Sequence, residues 1–158
     1  RVLFRSDILR SFEKNKPVII RNPKATRPWQ HVLEPLSGYL ILAQKIYNNH
    51  KEYAEGWNFG PREEDVKPVG WILDKMISKW PDSSWELDQN SNPHEADFLK
   101  LDISKAESKL GWKPVWELSH TIDKIIDWHK AWLDKEDMQA VCLAEIEEYT
   151  KDMSNENY

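Results

Sequence analysis

Apolar residues recur at helical spacing through much of the chain, and short apolar runs that fit extended strands lie between them. Ile8, Leu9 and Phe12 share one side of a short helix predicted over residues 7–14. Residues 17–21 form an apolar run bounded by turn signals, a predicted strand, and Asn22-Pro23 marks the turn after it. A second extended piece is expected at 29–32. It leads into a helix on which Leu36, Tyr39, Leu40, Ala43, Ile46 and Tyr47 form a stripe expected to face the core.

Residues 56–60 read as a strand ending in a turn. Val69, Ile72, Leu73, Met76, Ile77 and Trp80 then share one helix face, and Pro81 stops that helix. Residues 85–87 and 98–101 alternate like strands. Ser104 followed by Glu107 predicts a capping box for a helix that ends at Gly111. The next helix starts near Ser119 or Thr121 and carries Ile122, Ile125, Ile126, His129 and Trp132 on one stripe. Beyond it, Met138, Val141, Cys142, Ile146 and Tyr149 fit an extra helix or a partner-binding arm. Short strands alternating with helices give a mixed α/β class.

Composition sharpens this picture in three places. Nine tryptophans in 158 residues supply large burial energies and flat stacking surfaces, and most are expected in the core. A single cysteine, Cys142, excludes an internal disulfide framework and fits a reducing compartment. No signal-peptide pattern and no bilayer-length apolar run are visible, so a cytoplasmic protein with no membrane partner is expected. The net charge of −5 hides an uneven distribution. Basic residues dominate from Arg1 to Arg27, where they can face phosphates, and acidic residues dominate after Asp134, where a solvated helix face is expected.

The candidate chemistry centres on the run Arg27-Pro-Trp-Gln-His-Val-Leu-Glu-Pro-Leu. A guanidinium held beside a turn proline can contact a diphosphate bidentately, with Trp29 and His31 shaping the wall next to it. The plainer reading of Arg27 is a surface arginine in a turn. Arg21, across the tight turn, can present a second cation. Glu34 fits a structural carboxylate at a helix N-terminus. Asn58 can donate to phosphate, and the His94-Glu95 patch can meet ribose hydroxyls or simply face water. No zincin histidine pair, cysteine cluster or Gly-x-Ser-x-Gly motif is present, and no metal site is expected. His50, His120 and His129 show no sequence sign of an acid or nucleophile partner, and His129 reads as a satisfied core residue.

Several segments resemble the CDP-glucose 4,6-dehydratases, in the same order along the chain. They are Asp7-Ile-Leu-Arg-Ser-Phe, Val18-Ile-Ile-Arg-Asn-Pro-Lys-Ala, the Arg27 run, Glu55-Gly-Trp-Asn-Phe-Gly-Pro, Leu101-Asp-Ile-Ser-Lys-Ala with Leu110-Gly-Trp-Lys-Pro, and Ile125-Ile-Asp-Trp-His-Lys-Ala-Trp. The Ser-Lys-Ala and Leu-Gly-Trp pieces recur across extended short-chain dehydrogenases, and the Arg27 run is far more specific. Residues 1–6 fall outside the resemblance and read as a truncated or non-native start.

The resemblance implies a C-terminal substrate-binding lobe over 7–133 that lacks most of the Rossmann domain, followed by a helical extension over 134–158. It implies NAD bound by the missing N-terminal domain, because the family's glycine fingerprint does not occur here and its catalytic acid, base and tyrosine belong to that half. The reaction implied is oxidation of the glucosyl C4, loss of water across C5 and C6, and return of hydride to C6, giving CDP-4-keto-6-deoxyglucose. In that family this chemistry is a lyase step of deoxysugar biosynthesis, as in lipopolysaccharide O-antigen.

What the resemblance carries over to this chain is binding of CDP-glucose, with no catalytic residue. Arg27 is expected toward the diphosphate, Asn58 near the phosphate or nucleotide, Glu95 toward ribose, and Arg21 and His94 alongside. A homo-oligomer is expected when full length, with no nucleic-acid partner. Alternatives are the same lobe of another nucleotide-sugar dehydratase or epimerase, or a free-standing nucleotide- or RNA-binding module.

Overall fold

The computed structural model describes residues 5–48, 51–90 and 97–155. Its elements run α1 (Arg5–Glu13), β1 (Val18–Ile20), α2 (Leu33–Tyr47), α3 (Val69–Ile77), β2 (Trp85–Leu87), α4 (Leu118–Leu133) and α5 (Met138–Asn155). The class is mixed α/β, as expected, with helices dominating. β1 and β2 pair in parallel, Val18 opposite Trp85 and Ile20 opposite Leu87. Parallel pairing needs a long crossover, here the stretch that holds α2 and α3.

Local chemistry sets the element ends. Asn15 takes φ 50°, and the Lys16 N–H donates to the Ser11 carbonyl at 2.9 Å. That left-handed cap ends α1, and asparagine is among the few residues that adopt it cheaply. Gly111 at φ 70° ends the single π-type turn at Ala106–Leu110 in the same way. The expected capping box is replaced: Asp102 accepts from the Ser104 N–H at 2.9 Å, so the residue two positions earlier does the capping.

Three apolar clusters hold the chain together. The largest joins Ile8 and Phe12 of α1, Val18 and Ile20 of β1, Ile72, Leu73 and Met76 of α3, and Ile122 and Ile126 of α4. Burial of each such side chain contributes roughly 1.5–3 kcal/mol. Phe59, Ala106, Leu110 and Trp112 form a second cluster under α2. Val115, Trp116 and Tyr149 form a third, which seats α5. The tryptophans are mostly core or core-facing, as expected, and Trp132 is exposed at 48%.

Three sequence expectations change. Residues 29–32 make no strand, because the Trp29 N–H turns back to the Arg27 carbonyl at 2.8 Å and Pro28 has no donor for a ladder. Residues 56–60 and 98–101 are extended without forming strands, apart from single bridges from Thr26 to Phe98 and to Pro68. The α2 stripe faces outward: Leu40 is 73% and Tyr47 87% exposed, while the opposite face buries Glu34 and Gly38. Gly38 explains the choice, since a Cβ there would lie 2.3 Å from the Phe59 ring. Ile41 and Leu42 also pack toward that second cluster. Helical periodicity alone could not choose between two apolar faces.

Candidate functional site

The Arg27 run is laced to two other segments by directed hydrogen bonds. Thr26, just before it, donates its N–H to the Asp97 carbonyl at 2.9 Å. Asn22 donates its side-chain amide to the Asp97 carboxylate at 2.6 Å. Three residues beyond Arg27, the Gln30 amide donates to the Phe59 carbonyl at 2.8 Å. Asn58, the neighbour of Phe59, donates in turn to the Asp102 carbonyl at 3.2 Å. Arg27 and Asn58 therefore sit on two directly bonded segments, both tied to the extended piece 97–102.

Arg27 is half-buried and its Nη1 donates to the Thr26 carbonyl at 2.8 Å. That bond fixes one arm of the fork. A guanidinium carries five donors, so an anchored arm is compatible with anion recognition by others. Asn58 is exposed and presents an amide beside the same ribbon. Arg21 is directed differently, with its Nε 3.7 Å from the Asp88 carboxylate at the end of β2. His94 and Glu95 lie outside the described residues. Asp97 is held against the turn between Arg21 and Arg27.

The expected wall beside Arg27 is not built as read from the sequence. Trp29 packs on the largest cluster. His31 is buried, stands edge-on to Trp116 with ring centroids 5.0 Å apart, and faces Glu145 at 3.7 Å. Its Nδ1 accepts from the Leu33 N–H at 3.3 Å, which satisfies a free donor of the first turn of α2. His31 thus serves the helix start and the seating of α5.

Glu34 is structural, as its position suggested, through contacts that sequence did not show. Its carboxylate is 0% exposed and accepts from the Val115 N–H at 3.0 Å, the Trp116 N–H at 2.8 Å and the Tyr149 hydroxyl at 2.7 Å. Burial raises its pKa above the ordinary value, and the three donors and nearby Arg62 only partly oppose this. Asp65, which accepts from the Leu118 N–H, and Glu145 are raised for the same leading reason.

Two histidines do have acid neighbours. His129 shares a 2.7 Å contact with Glu13 across the core, and His120 Nε2 lies 3.7 Å from Glu148. His120, Glu148 and Asp152 have donor atoms within 4.8 Å of one another. Lys124 already holds Glu148 and the Trp116 indole already holds Asp152, so these groups fasten α5 to α4 and to the segment just before it. Among the residues missed by sequence reasoning, Gln30 and Asp97 matter most to the site. Neither carries a local signal, since their partners lie 29 and 75 positions away.

What emerges is a mostly helical α/β chain with cation and amide donors on laced, extended segments. No family model matches the chain. It is 57% identical over 144 residues to the CDP-glucose 4,6-dehydratase of Salmonella typhimurium, a match that covers 90% of this chain and 40% of that protein. The matched part is the C-terminal portion of the relative, so the chain is similar to that portion of a CDP-glucose 4,6-dehydratase. The chain spans less than half the length of the relative. No helix among the described residues is long and apolar enough to cross a membrane.

Proposed function

We propose that this chain is the substrate-gripping portion of an NAD-dependent CDP-glucose 4,6-dehydratase. The observation that carries the reading is the 57% identity that extends over 90% of the chain. The hydrogen bond from Gln30 to Phe59 supports it, because it holds the Arg27 and Asn58 segments as one unit. Arg27 is assigned to the diphosphate, Asn58 to the phosphate or nucleotide, and Glu95 to ribose, with Arg21 and His94 as secondary candidates. Binding energy from such groups positions the reacting carbons without touching them.

NAD does not fit the residues in hand. Among the described residues no strand–helix turn carries a glycine-rich phosphate loop, and the sequence has five glycines in all, none arranged as that fingerprint. We assign the cofactor, and with it the oxidation, dehydration and hydride return, to the remainder of the full-length protein. The chain by itself is inactive in this reading, and the full-length protein is a cytoplasmic homo-oligomer with no nucleic-acid partner.

Calorimetric titration of the full-length protein with CDP, UDP and GDP tests the proposal. Tighter binding of CDP than of the other two is expected. Equal affinity for all three, accompanied by tight RNA binding, would favour the nucleic-acid module and remove this reading. Binding to nucleic acid through phosphates alone would fall steeply with salt.

A further inference from the structure

Arg27 takes its direction from the backbone beneath it, because its Nη1 is anchored to the Thr26 carbonyl at 2.8 Å. The turn that delivers this carbonyl is held from two sides. On one side, two N–H groups of the first turn of α3 donate into it, Gly70 to the Pro23 carbonyl at 2.8 Å and Val69 to the Ala25 carbonyl at 2.9 Å. Such donors have no partner within their own helix, so the turn caps α3 and is held by it. Gly70 suits the close approach, since a Cβ there would lie 3.3 Å from the Pro23 oxygen. On the other side stands Asp97. Its carbonyl accepts from the Thr26 N–H at 2.9 Å, and its carboxylate accepts from the Asn22 amide at 2.6 Å. Asn22 is used at both ends, because its Oδ1 also accepts from the Lys24 N–H at 3.2 Å and closes the turn. At the surface the Asn22–Asp97 bond competes with water and adds little to stability.

We propose that Asn22 and Asp97 are a positioning pair for Arg27, a role that rests on the reading of Arg27 as the diphosphate contact. Neither side chain touches the ligand; together they fix the turn whose Thr26 carbonyl aims the guanidinium. A planar fork recognises phosphate oxygens only in a narrow range of positions, so a small drift of its anchor is felt in binding. The pair also sets Arg27 against Asn58, because Asn58 donates to the Asp102 carbonyl on the extended piece that begins at Asp97. What Asp97 supplies is an acceptor and not a charge. A carboxylate beside an anion site opposes the anion by its charge, whereas the side-chain oxygen of an asparagine would accept from Asn22 equally well.

Steady-state kinetics with CDP-glucose on the full-length protein test this, with a urea midpoint for every variant. Asn22→Ala and Asp97→Ala should each raise KM roughly three- to tenfold, with kcat and the midpoint little changed. Asp97→Asn should keep the parent's KM. The decisive measurement is a cycle with Arg27→Ala: adding Asp97→Ala in that background should raise KM no further, because the pair acts only through Arg27. An equal rise in both backgrounds overturns the positioning role, and so does an unchanged KM in the two alanine variants. Should an alanine variant fail to fold, an exchange decides. Asn22→Asp alone sets two carboxylates against each other and should raise KM, and adding Asp97→Asn restores one donor and one acceptor and should bring KM back. No recovery in the exchanged protein overturns the pairing. Arg27→Ala without effect would remove the reading of Arg27 and the pair's role with it. An effect of Arg27→Ala with none from Asn22→Ala and Asp97→Ala would remove the positioning alone.

Discussion

The Gln30 side-chain amide donates to the Phe59 carbonyl at 2.8 Å, and this bond couples the two segments that carry Arg27 and Asn58. Gln30→Ala should leave the Phe59 carbonyl without that donor and let the segments drift apart. In the full-length protein we expect KM for the sugar nucleotide to rise several-fold with kcat little changed, against a stability loss of about 1 kcal/mol. Unchanged KM would show that the coupling is only structural.

Arg27→Ala should weaken sugar-nucleotide binding by about 1.5–3 kcal/mol, the range of a hydrogen bond to a charged group. Arg27→Lys should recover only part of it, because an ammonium cannot keep one arm on the Thr26 carbonyl while forking to phosphate. Calorimetry on both variants measures this. Full recovery by lysine would argue for a simple point charge.

Gly38→Ala should destabilise the protein by about 1–3 kcal/mol, the usual cost of overpacking. The new Cβ would sit 2.3 Å from the Phe59 ring, which is itself wedged edge-on against Trp112 at 5.0 Å. A urea midpoint equal to the parent's would mean that the Phe59 ring moves freely.

Glu34 gives a pH signature. Its folded pKa is raised by burial, so the stability tied to it is fully present below the unfolded value, about 4.3 for glutamate, and is lost as pH rises through the folded value. Asp65 and Glu145 are raised too and act in the same direction. Urea midpoints measured upward from pH 4 should therefore decline for the parent and decline less for Glu34→Gln. An identical slope in the variant would remove Glu34 from the effect.

Tyr149→Phe isolates the C-terminal fastening. The hydroxyl donates to Glu34 at 2.7 Å and lies 3.1 Å from the Ser37 hydroxyl. Losing it should cost about 1–3 kcal/mol, because a buried carboxylate gives up a donor. Thermal melts of the variant check the magnitude, and hydrogen exchange should show α5 opening more readily than α4.

Much of this protein is determined by local sequence. Ile8, Leu9 and Phe12 fix α1, Val69 to Ile77 fix α3, and the Ile122–Trp132 stripe fixes α4, since each has one apolar face and a helix must bury it. Gly111 ends its turn through its own φ. The short apolar runs at 18–20 and 85–87 form strands, though only the fold made them partners. The residue types of the Arg27 run and its resemblance are the ground for the phosphate-binding role proposed for it. Tertiary structure decided the rest. It turned the α2 stripe outward, because Gly38 admits the Phe59 ring and the other apolar face does not. It directed Arg21 to Asp88 and His31 to the α5 side, and it joined Gln30 to Phe59 and Glu34 to Tyr149. Those contacts span 29 to 115 positions, and no helical or strand period reaches so far. Periodicity says that a face is apolar; only packing says what covers it.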